Sequence, residues 1–429
     1  MDLSALYSLF QKYPAVTTDS RRCPEGSLFF ALKGERFDGN DYVEQALASG
    51  VAYAIADRKN LPENERIIQV EDVLKTLQDL ARYHRRQMPA TVIAVTGTNG
   101  KTTTKELIAA ALSAQFPTHY TQGNLNNDIG VPLTLLQLRR EHAFAVIEMG
   151  ANHPGEIHRL CEITEPDYGL ITNVGKAHLA GFGSFEGVVR TKAELYDFLR
   201  ETDGTAFVNM DHLILKELFN PLSSIYYGTN PEAFVHGKLL TSTPFLSLEW
   251  AASSVFTLQT RLVGGYNLEN VLAAIAVAVH FGVESETVNR AIAAYEPTNN
   301  RSQNLQTVNN QLIIDAYNAN PSSMQAALDN FEALPDSPKM VLLGEMRELG
   351  VFSREEHQKI VDRLIQGEIE KIILVGTEFT SCSTIPSDWR LFPQTEDLLN
   401  YLQTTEIKGY TILIKGSRGN QLERTTAYL

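Results

Sequence analysis

Cysteines, long apolar runs and basic charge are scarce in this chain of 429 residues, and each absence narrows its function. The three cysteines, Cys23, Cys161 and Cys382, stand far apart and show no metal-ligand spacing, which is typical of reduced thiols in the cytosol. No apolar run could span a bilayer, and the first residues lack the cationic start of a signal peptide. The net charge of −14 offers no general attraction to nucleic acid or anionic membranes. We therefore expect a cytoplasmic protein with neither partner, and a monomer.

The chain length suits two or three domains, and two proline-containing breaks divide it into residues 1–88, 89–297 and 298–429. Buried apolar strands alternate with helical stretches in the second and third segments, while residues 242–263 alternate like hairpin strands. Such an order is typical of doubly wound parallel sheets. The sequence predicts an α/β protein of three domains. Its central sheet is doubly wound and of the P-loop type, with an antiparallel flank, and its C-terminal domain is Rossmann-like.

Residues 96–104, Thr-Gly-Thr-Asn-Gly-Lys-Thr-Thr-Thr, follow the apolar strand 91–95 directly and precede a helical stretch. Glycines let backbone amides turn toward a phosphate, and the helix N-terminus adds its positive dipole end. Lys101 would reach the β- and γ-phosphates, and the Thr102 hydroxyl would hold Mg²⁺. The alternative is a glycine turn that only joins a strand to a helix. The pattern favours an ATP site formed by Gly97, Thr98, Asn99, Gly100, Lys101, Thr102 and Thr103.

Two further strands of the central segment lead to side chains that could face this nucleotide. Glu148 ends the strand 143–147 and suits Mg²⁺, with an ordinary solvated glutamate as the alternative. His178 follows the strand 168–172, and a hydrogen-bonding role competes with metal binding because histidine is an unusual magnesium ligand. Lys192 lies on a predicted helix, where an exposed lysine paired with a glutamate is the common case.

Polar residues after residue 260 complete the candidate site. Asn267 and Asn270 share a helical face and could bind the adenine edge, although Asn267 could equally cap the helix. Asp315 and Asn318 follow a strand and suit ribose and polyphosphate contacts. Lys415 and Arg418 end the last strand, and form either a clamp for a substrate carboxylate or phosphate or a plain basic loop.

Several of these motifs resemble the Mur ligase family. The phosphate loop has the short form found in that family and in folylpolyglutamate synthetase, with Val95 where the standard loop has its first glycine. Residues 19–21 with 28–38, 123–132, 148–153, 315–320, 344–350 and 415–418 are similar to Mur ligase stretches. The similarity is greatest to members that add D-alanyl-D-alanine to UDP-N-acetylmuramoyl-tripeptide. The Asp-Asn-Pro-Arg motif of the diaminopimelate-adding members is absent.

The resemblance implies roles for particular residues. His178 would bind a second Mg²⁺, and Lys192 would be carbamylated by CO₂ to give an oxygen ligand; Thr102 and Glu148 complete the metal set. Arg301 would swing onto the γ-phosphate of ATP. Lys101, Lys192, His178 and Arg301 form the implied catalytic set. The residues implied to bind substrate are Ser20, Arg21, Lys33, Asn124, Asn126, Asn127, Lys415 and Arg418.

Two other functions were weighed against this one. Folylpolyglutamate synthetase shares the loop and the carbamylated lysine but has no UDP-binding domain ahead of the loop. A P-loop switch needs neither Glu148 and His178 nor a third α/β domain. The residues by themselves indicate only a magnesium- and ATP-dependent enzyme, and the amide-forming step and both substrates come from the resemblance. Whether the third peptide residue is diaminopimelate or lysine stays open.

Overall fold

The computed structural model describes residues 2–35, 37–218, 223–298, 301–335 and 338–429, which form three α/β units. The first unit has a parallel sheet in the order β1-β2-β5-β6 and a small β3-β4 hairpin. Its elements are α1 (Leu3–Lys12), β1 (Val16–Thr17), β2 (Leu28–Phe30), β3 (Lys33–Gly34), β4 (Phe37–Asp38), α2 (Val43–Ala48), β5 (Tyr53–Ala56), β6 (Ile67–Gln69) and α3 (Val73–Arg86).

The central unit contains a nine-stranded sheet in the order β15-β14-β13-β12-β11-β10-β7-β9-β8. Strands β7 to β13 pair in parallel, and β13, β14 and β15 form an antiparallel flank. Its elements are β7 (Thr91–Thr96), α4 (Lys101–Ser113), β8 (Thr118–Tyr120), α5 (Gly130–Leu135), β9 (Phe144–Glu148), α6 (Glu156–Thr164), β10 (Tyr168–Ile171), α7 (Leu179–Phe182), α8 (Phe185–Glu201), β11 (Thr205–Asn209), α9 (Leu213–Leu218), β12 (Ser223–Gly228), β13 (Val235–Thr241), β14 (Ser247–Ala251), β15 (Val255–Gln259), α10 (Asn267–His280) and α11 (Ser285–Ala294).

The third unit has a six-stranded sheet in the order β16-β17-β21-β18-β19-β20, parallel except for the β16-β17 pair. Its elements are β16 (Gln303–Gln306), β17 (Gln311–Asp315), α12 (Pro321–Glu332), β18 (Lys339–Gly344), α13 (Ser353–Gln366), β19 (Lys371–Val375), α14 (Thr377–Thr380), β20 (Arg390–Phe392), α15 (Thr395–Thr404) and β21 (Thr411–Lys415). In the described part of the chain, no helix has the length and apolar character that crossing a bilayer requires.

The fold class predicted from the sequence is confirmed, because the central strands β7, β9 and β10 are almost wholly buried and run in parallel. The antiparallel flank begins at Val235, earlier than the predicted start at residue 242. The domain boundary at residue 88 stays a prediction, since one hydrophobic core crosses it. That core packs Tyr7 and Leu80 with Val131 and Ile157.

Candidate active site

A cleft of about 630 Å³ lies where the carboxyl ends of central strands meet those of β17 and β21. Parallel α/β sheets bind ligands at this edge. The cleft brings together most of the residues predicted from the sequence, namely Thr98, Asn99, Gly100, Lys101, Thr102, Thr103, Asn124, Asn126, Asn127, Glu148, His178, Asn267, Asn270, Arg301, Asp315, Asn318, Lys415 and Arg418.

The phosphate loop connects β7 to α4 in the predicted way. Gly97 and Gly100 adopt φ angles of +143° and +79°, which glycine tolerates best. Lys101 Nζ donates to the carbonyl oxygens of Gly97 at 2.9 Å and Thr98 at 3.0 Å. Burial lowers the pKa of Lys101 to about 8, and the nearby Arg301 charge acts in the same direction. The lysine is therefore held over the loop where phosphates would bind.

Glu148 is not a solvated strand-end residue, since it is only 1% exposed. Its Oε2 accepts a hydrogen bond from Thr102 Oγ1 at 2.9 Å, and its Oε1 accepts one from Asn126 Nδ2 at 2.8 Å. The described residues contain no group of three or more histidine, cysteine, aspartate or glutamate side chains that could enclose a metal. One carboxylate with a hydroxyl nevertheless suits Mg²⁺, which takes its remaining ligands from phosphates and water.

Lys192 on α8 is 2% exposed, so the surface-lysine alternative was wrong. Its Nζ lies 5.5 Å from the centroid of the Phe182 ring. Burial lowers the pKa of Lys192 to about 7, helped by the charge of Lys101. A buried amine with so low a pKa is largely neutral near pH 7.5, and the neutral amine is the form that reacts with CO₂. Lys192 and Gly97 are not among the residues that line the cleft itself.

His178 stands at the start of α7 with a φ of +48°. Its imidazole contacts the Glu348 carboxylate of the third unit, and this hydrogen bond lowers the pKa of Glu348. Sequence reasoning did not single out Glu348. The only signal was its place in the motif 344–350, for which no chemistry had been argued.

Asn267 and Asn270 are both buried and interact with each other. Helix α10 begins at Asn267, whose Nδ2 donates to the Val263 carbonyl at 2.8 Å, so the capping alternative was wrong. Asn270 Nδ2 donates to Asn267 Oδ1 at 2.9 Å, and Asn270 Oδ1 accepts from Thr104 Oγ1 at 3.0 Å. Helix α10 is thereby fastened to the helix of the phosphate loop.

Two arginines flank one aromatic ring at the mouth of the third unit. The Arg301 guanidinium carbon lies 3.8 Å from the centroid of the Tyr317 ring, and that of Arg418 lies 5.4 Å from it. Within the described part of the chain, the buried Arg301 Nε has no hydrogen-bond partner. Stacking on an aromatic face keeps a guanidinium charged and leaves its donors free for an anion. Tyr317 was missed in the sequence because a stacking role has no local signature.

Lys415 is 1% exposed, and its Nζ contacts Asp315 Oδ2 at 2.5 Å and the Asn318 carbonyl at 3.4 Å. The basic-loop alternative is therefore wrong for Lys415, although Arg418 is exposed. The Asn318 side-chain oxygen accepts from the Ala319 amide at 2.9 Å. One oxygen of Asp315 is thus engaged by a cation, and the other is left for a ligand.

Three predicted substrate residues lie outside the cleft, on the first unit. Arg21 is ion-paired with Asp19 at 2.9 Å, and Lys33 with Asp57 at 2.8 Å. Ser20 precedes Arg21 and is half-buried. These positions leave a uridine-binding role for the first unit as a prediction.

Two asparagines that the sequence did not single out hold the phosphate loop in place. Asn173 Oδ1 accepts from the Asn99 amide at 2.9 Å. Asn320, which caps α12, donates from Nδ2 to Asn99 Oδ1 at 2.8 Å. The second contact joins the third unit to the loop. The fold and the cleft together define a P-loop enzyme whose nucleotide site is shared between two α/β units.

Comparison with known proteins gives the family. Three family models match: "Mur ligase family, catalytic domain" at residues 12–85, "Mur ligase middle domain" at 95–278, and "Mur ligase, glutamate ligase domain" at 300–418. The UDP-N-acetylmuramoyl-tripeptide–D-alanyl-D-alanine ligase of Escherichia coli is 36% identical, over 97% of this chain and 93% of that protein. The chain belongs to the Mur ligase family.

Solved structures agree with this assignment. MurF from Acinetobacter baumannii superposes with a TM-score of 0.86 at 31% identity, covering 98% of this chain and 97% of that one. MurF ligase from Thermotoga maritima, solved in complex with ADP, gives a TM-score of 0.85 at 30% identity and covers 96% of both chains.

Proposed function

We propose that this chain is an ATP-dependent ligase that joins D-alanyl-D-alanine to UDP-N-acetylmuramoyl-tripeptide, which yields the UDP-muramoyl-pentapeptide. The observation that carries the proposal is the composite cleft, in which a phosphate loop, a buried carboxylate and cations of the third unit face one space. Full-length similarity to ligases named for this reaction supports the choice of substrates.

The reaction has two steps. The terminal carboxylate of the tripeptide attacks the γ-phosphorus of ATP, which gives an acyl phosphate and releases ADP. The amine of D-alanyl-D-alanine then attacks the acyl carbon, loses a proton, and inorganic phosphate leaves. Lys101 and Arg301 neutralise charge on the transferring phosphoryl group. Asp315 holds the ribose, Asn267 and Asn270 border the adenine, and Lys415, Arg418 and Asn318 orient the anions.

Thr102 and Glu148 would hold Mg²⁺, with His178 and a carbamylated Lys192 toward a second ion. Bound magnesium would supply charge neutralisation between two anions. The buried oxygens around Glu148 fit such a cation. The buried, unpaired amine of Lys192 fits carbamylation, and ¹³C-bicarbonate labelling should give a carbamate NMR signal that Lys192→Arg lacks.

The first unit would take the UDP end of the substrate through Ser20, Arg21 and Lys33. Asn124, Asn126 and Asn127 lie on the loop that would approach the muramyl peptide. We keep residues 1–88, 89–297 and 298–429 as the proposed domains, with the substrate spanning all three.

Phosphate release from Mg-ATP tests the proposal, measured with UDP-muramoyl-tripeptide in the presence and absence of D-alanyl-D-alanine. Release that requires both, with a UDP-pentapeptide detected by mass, is the expected result. Tripeptides ending in diaminopimelate and in lysine are assayed in parallel to identify the third residue. Phosphate release that is indifferent to both substrates would overturn the assignment, and folate with glutamate would then be assayed.

A further inference from the structure

Lys105 is a fully buried lysine that the proposed reaction does not use. It lies one turn after Thr102 on α4, and its side chain is 0% exposed. Burying an ammonium group is costly unless charges and hydrogen bonds compensate for the lost water. The contacts of its Nζ therefore indicate what the charge is for.

Three groups surround this ammonium. Lys105 Nζ donates to the Thr121 carbonyl at 2.7 Å and lies 3.4 Å from Glu106 Oε1. It also lies 3.9 Å from Glu148 Oε2. The helix of the phosphate loop is thus joined through one side chain to the residues that follow β8 and end β9.

Thr121 extends the connection to the backbone of Glu148. The Glu148 amide donates to Thr121 Oγ1 at 2.9 Å, and the Thr121 amide donates to the Val146 carbonyl at 3.1 Å. Lys105 consequently acts on Glu148 in two ways, through its charge beside the carboxylate and through Thr121 on the main chain. The remaining carboxylate contacts come from Thr102 and Asn126, which line the cleft.

We propose that Lys105 is a positioning residue, which holds the Glu148 carboxylate in a cation-binding orientation before nucleotide arrives. Lys105 does not line the cleft and does not touch substrate. The inference rests on the proposed function only in that Glu148 binds the divalent cation of the nucleotide. Groups that orient a metal ligand from behind typically change metal affinity by about 10- to 100-fold when they are removed.

Calorimetric titration of Lys105→Met with a non-hydrolysable ATP analogue, with and without Mg²⁺, tests this role. We expect affinity in the presence of Mg²⁺ to fall about 10-fold or more, while affinity for the metal-free analogue changes little. Electron paramagnetic resonance of Mn²⁺ with the same analogue gives a second readout. Neither measurement needs the peptide substrates, so a chain without ligase activity would still give an answer.

Lys339→Met is the matched control, because Lys339 Nζ donates only to the main-chain carbonyls of Glu332 and Leu334, away from the cleft. Its binding should keep the wild-type magnesium dependence. If Lys105→Met does not fold, Thr121→Val removes the acceptor of the Glu148 amide and should weaken metal-dependent binding, whereas Thr121→Ser should retain it. Equal losses with and without Mg²⁺, or a lower melting temperature alone, would overturn the proposal.

Discussion

Single side chains of this protein gain their chemical character from burial and stacking rather than from residue type. Lys101 and Lys192 both have lowered pKa values because they are buried near other cations. Arg301 stays available for an anion because it stacks on Tyr317 instead of pairing with a carboxylate. In each case the tertiary environment turns an ordinary cation into one suited to a phosphate or to CO₂.

Arg301→Ala should lower kcat by about 10³-fold, since a cation that neutralises the transferring phosphoryl group is worth that much in related chemistry. Steady-state kinetics at saturating substrates measures the loss. Arg261→Ala is the control, because Arg261 is half exposed and ion-paired with Glu296. An Arg301→Ala enzyme with unchanged kcat and only a raised KM would assign the residue to ground-state binding.

At the scale of elements, the turn from β7 into α4 depends on helix α10 as much as on its own sequence. Gly100 caps α4 in the left-handed region, and a Cβ there would come within 2.5 Å of Asn270 Oδ1. The loop is therefore held between its own backbone and a helix that lies far away in the chain. Its glycines serve both conformation and packing.

Gly100→Ala should abolish tight nucleotide binding, because it adds a clash with Asn270 to the cost of a left-handed alanine. Gly155→Ala is a close control: Gly155 caps α6 at φ +82°, and nothing lies within 4 Å of its added Cβ. That control should lose about 1–2 kcal/mol of stability but keep its affinity for nucleotide. Calorimetry with ADP and thermal unfolding of both variants distinguish strain from clash. Equal affinities in the two variants would remove Asn270 from the account.

At the scale of the molecule, the three units are joined by different kinds of contact. An apolar core and His84 connect the first unit to the central one. Polar contacts, such as those between Asn320 and Asn99 and between His178 and Glu348, connect the central unit to the third. The polar junction is the one suited to open and close around ligands, because its groups can exchange partners with water.

His84 should make the first junction sensitive to acid. Its Nε2 lies 2.9 Å from the Leu138 carbonyl, and its Nδ1 lies 3.2 Å from the Tyr7 hydroxyl, an arrangement that suits the neutral ring. Burial lowers the pKa of His84 below its usual value of 6.5. The unfolded chain therefore takes up a proton at higher pH than the folded chain does, and the free energy of unfolding falls as pH drops below about 6.5.

Thermal unfolding between pH 7.5 and 5.5 should accordingly show a smaller acid-induced loss for His84→Gln than for the wild type. His158→Gln is the control, since His158 is exposed and contacts only Glu162. Other buried histidines with lowered pKa values, such as His119 and His357, will keep part of the slope in every variant. Identical slopes for the wild type and His84→Gln would contradict the prediction.

The second junction is tested at Asn320, which both caps α12 and reaches the phosphate loop. Asn320→Ser keeps a capping oxygen but is too short to reach Asn99, so kcat/KM for ATP should fall about three- to tenfold with unchanged stability. Asn320→Ala should lose about 1 kcal/mol of stability in addition. Small-angle scattering with nucleotide would show whether either variant still compacts. Unaltered ATP kinetics in Asn320→Ser would mean that the contact does not matter for catalysis.

The sequence by itself determined the α/β class, the phosphate loop and the family, because these depend on contiguous residues. Continuous apolar strands must be buried on both faces, and a loop such as 96–104 carries its chemistry in consecutive positions. The site residues after strand ends could also be found, since parallel strands bring those ends to one edge. Lys105, Glu348, Tyr317 and Asn320 could not be assigned a role in this way.

Only the tertiary structure decided which of these groups meet. Lys415 with Asp315, His178 with Glu348, and Lys105 with Thr121 and Glu148 are pairs whose members lie apart in the chain. Their meeting depends on how strands order within a sheet and how one unit packs on the next. Neither propensity nor periodicity encodes that geometry, because both describe a residue relative to its neighbours in sequence. Burial then sets the pKa values of Lys101 and Lys192, a property that exists only once the units are packed.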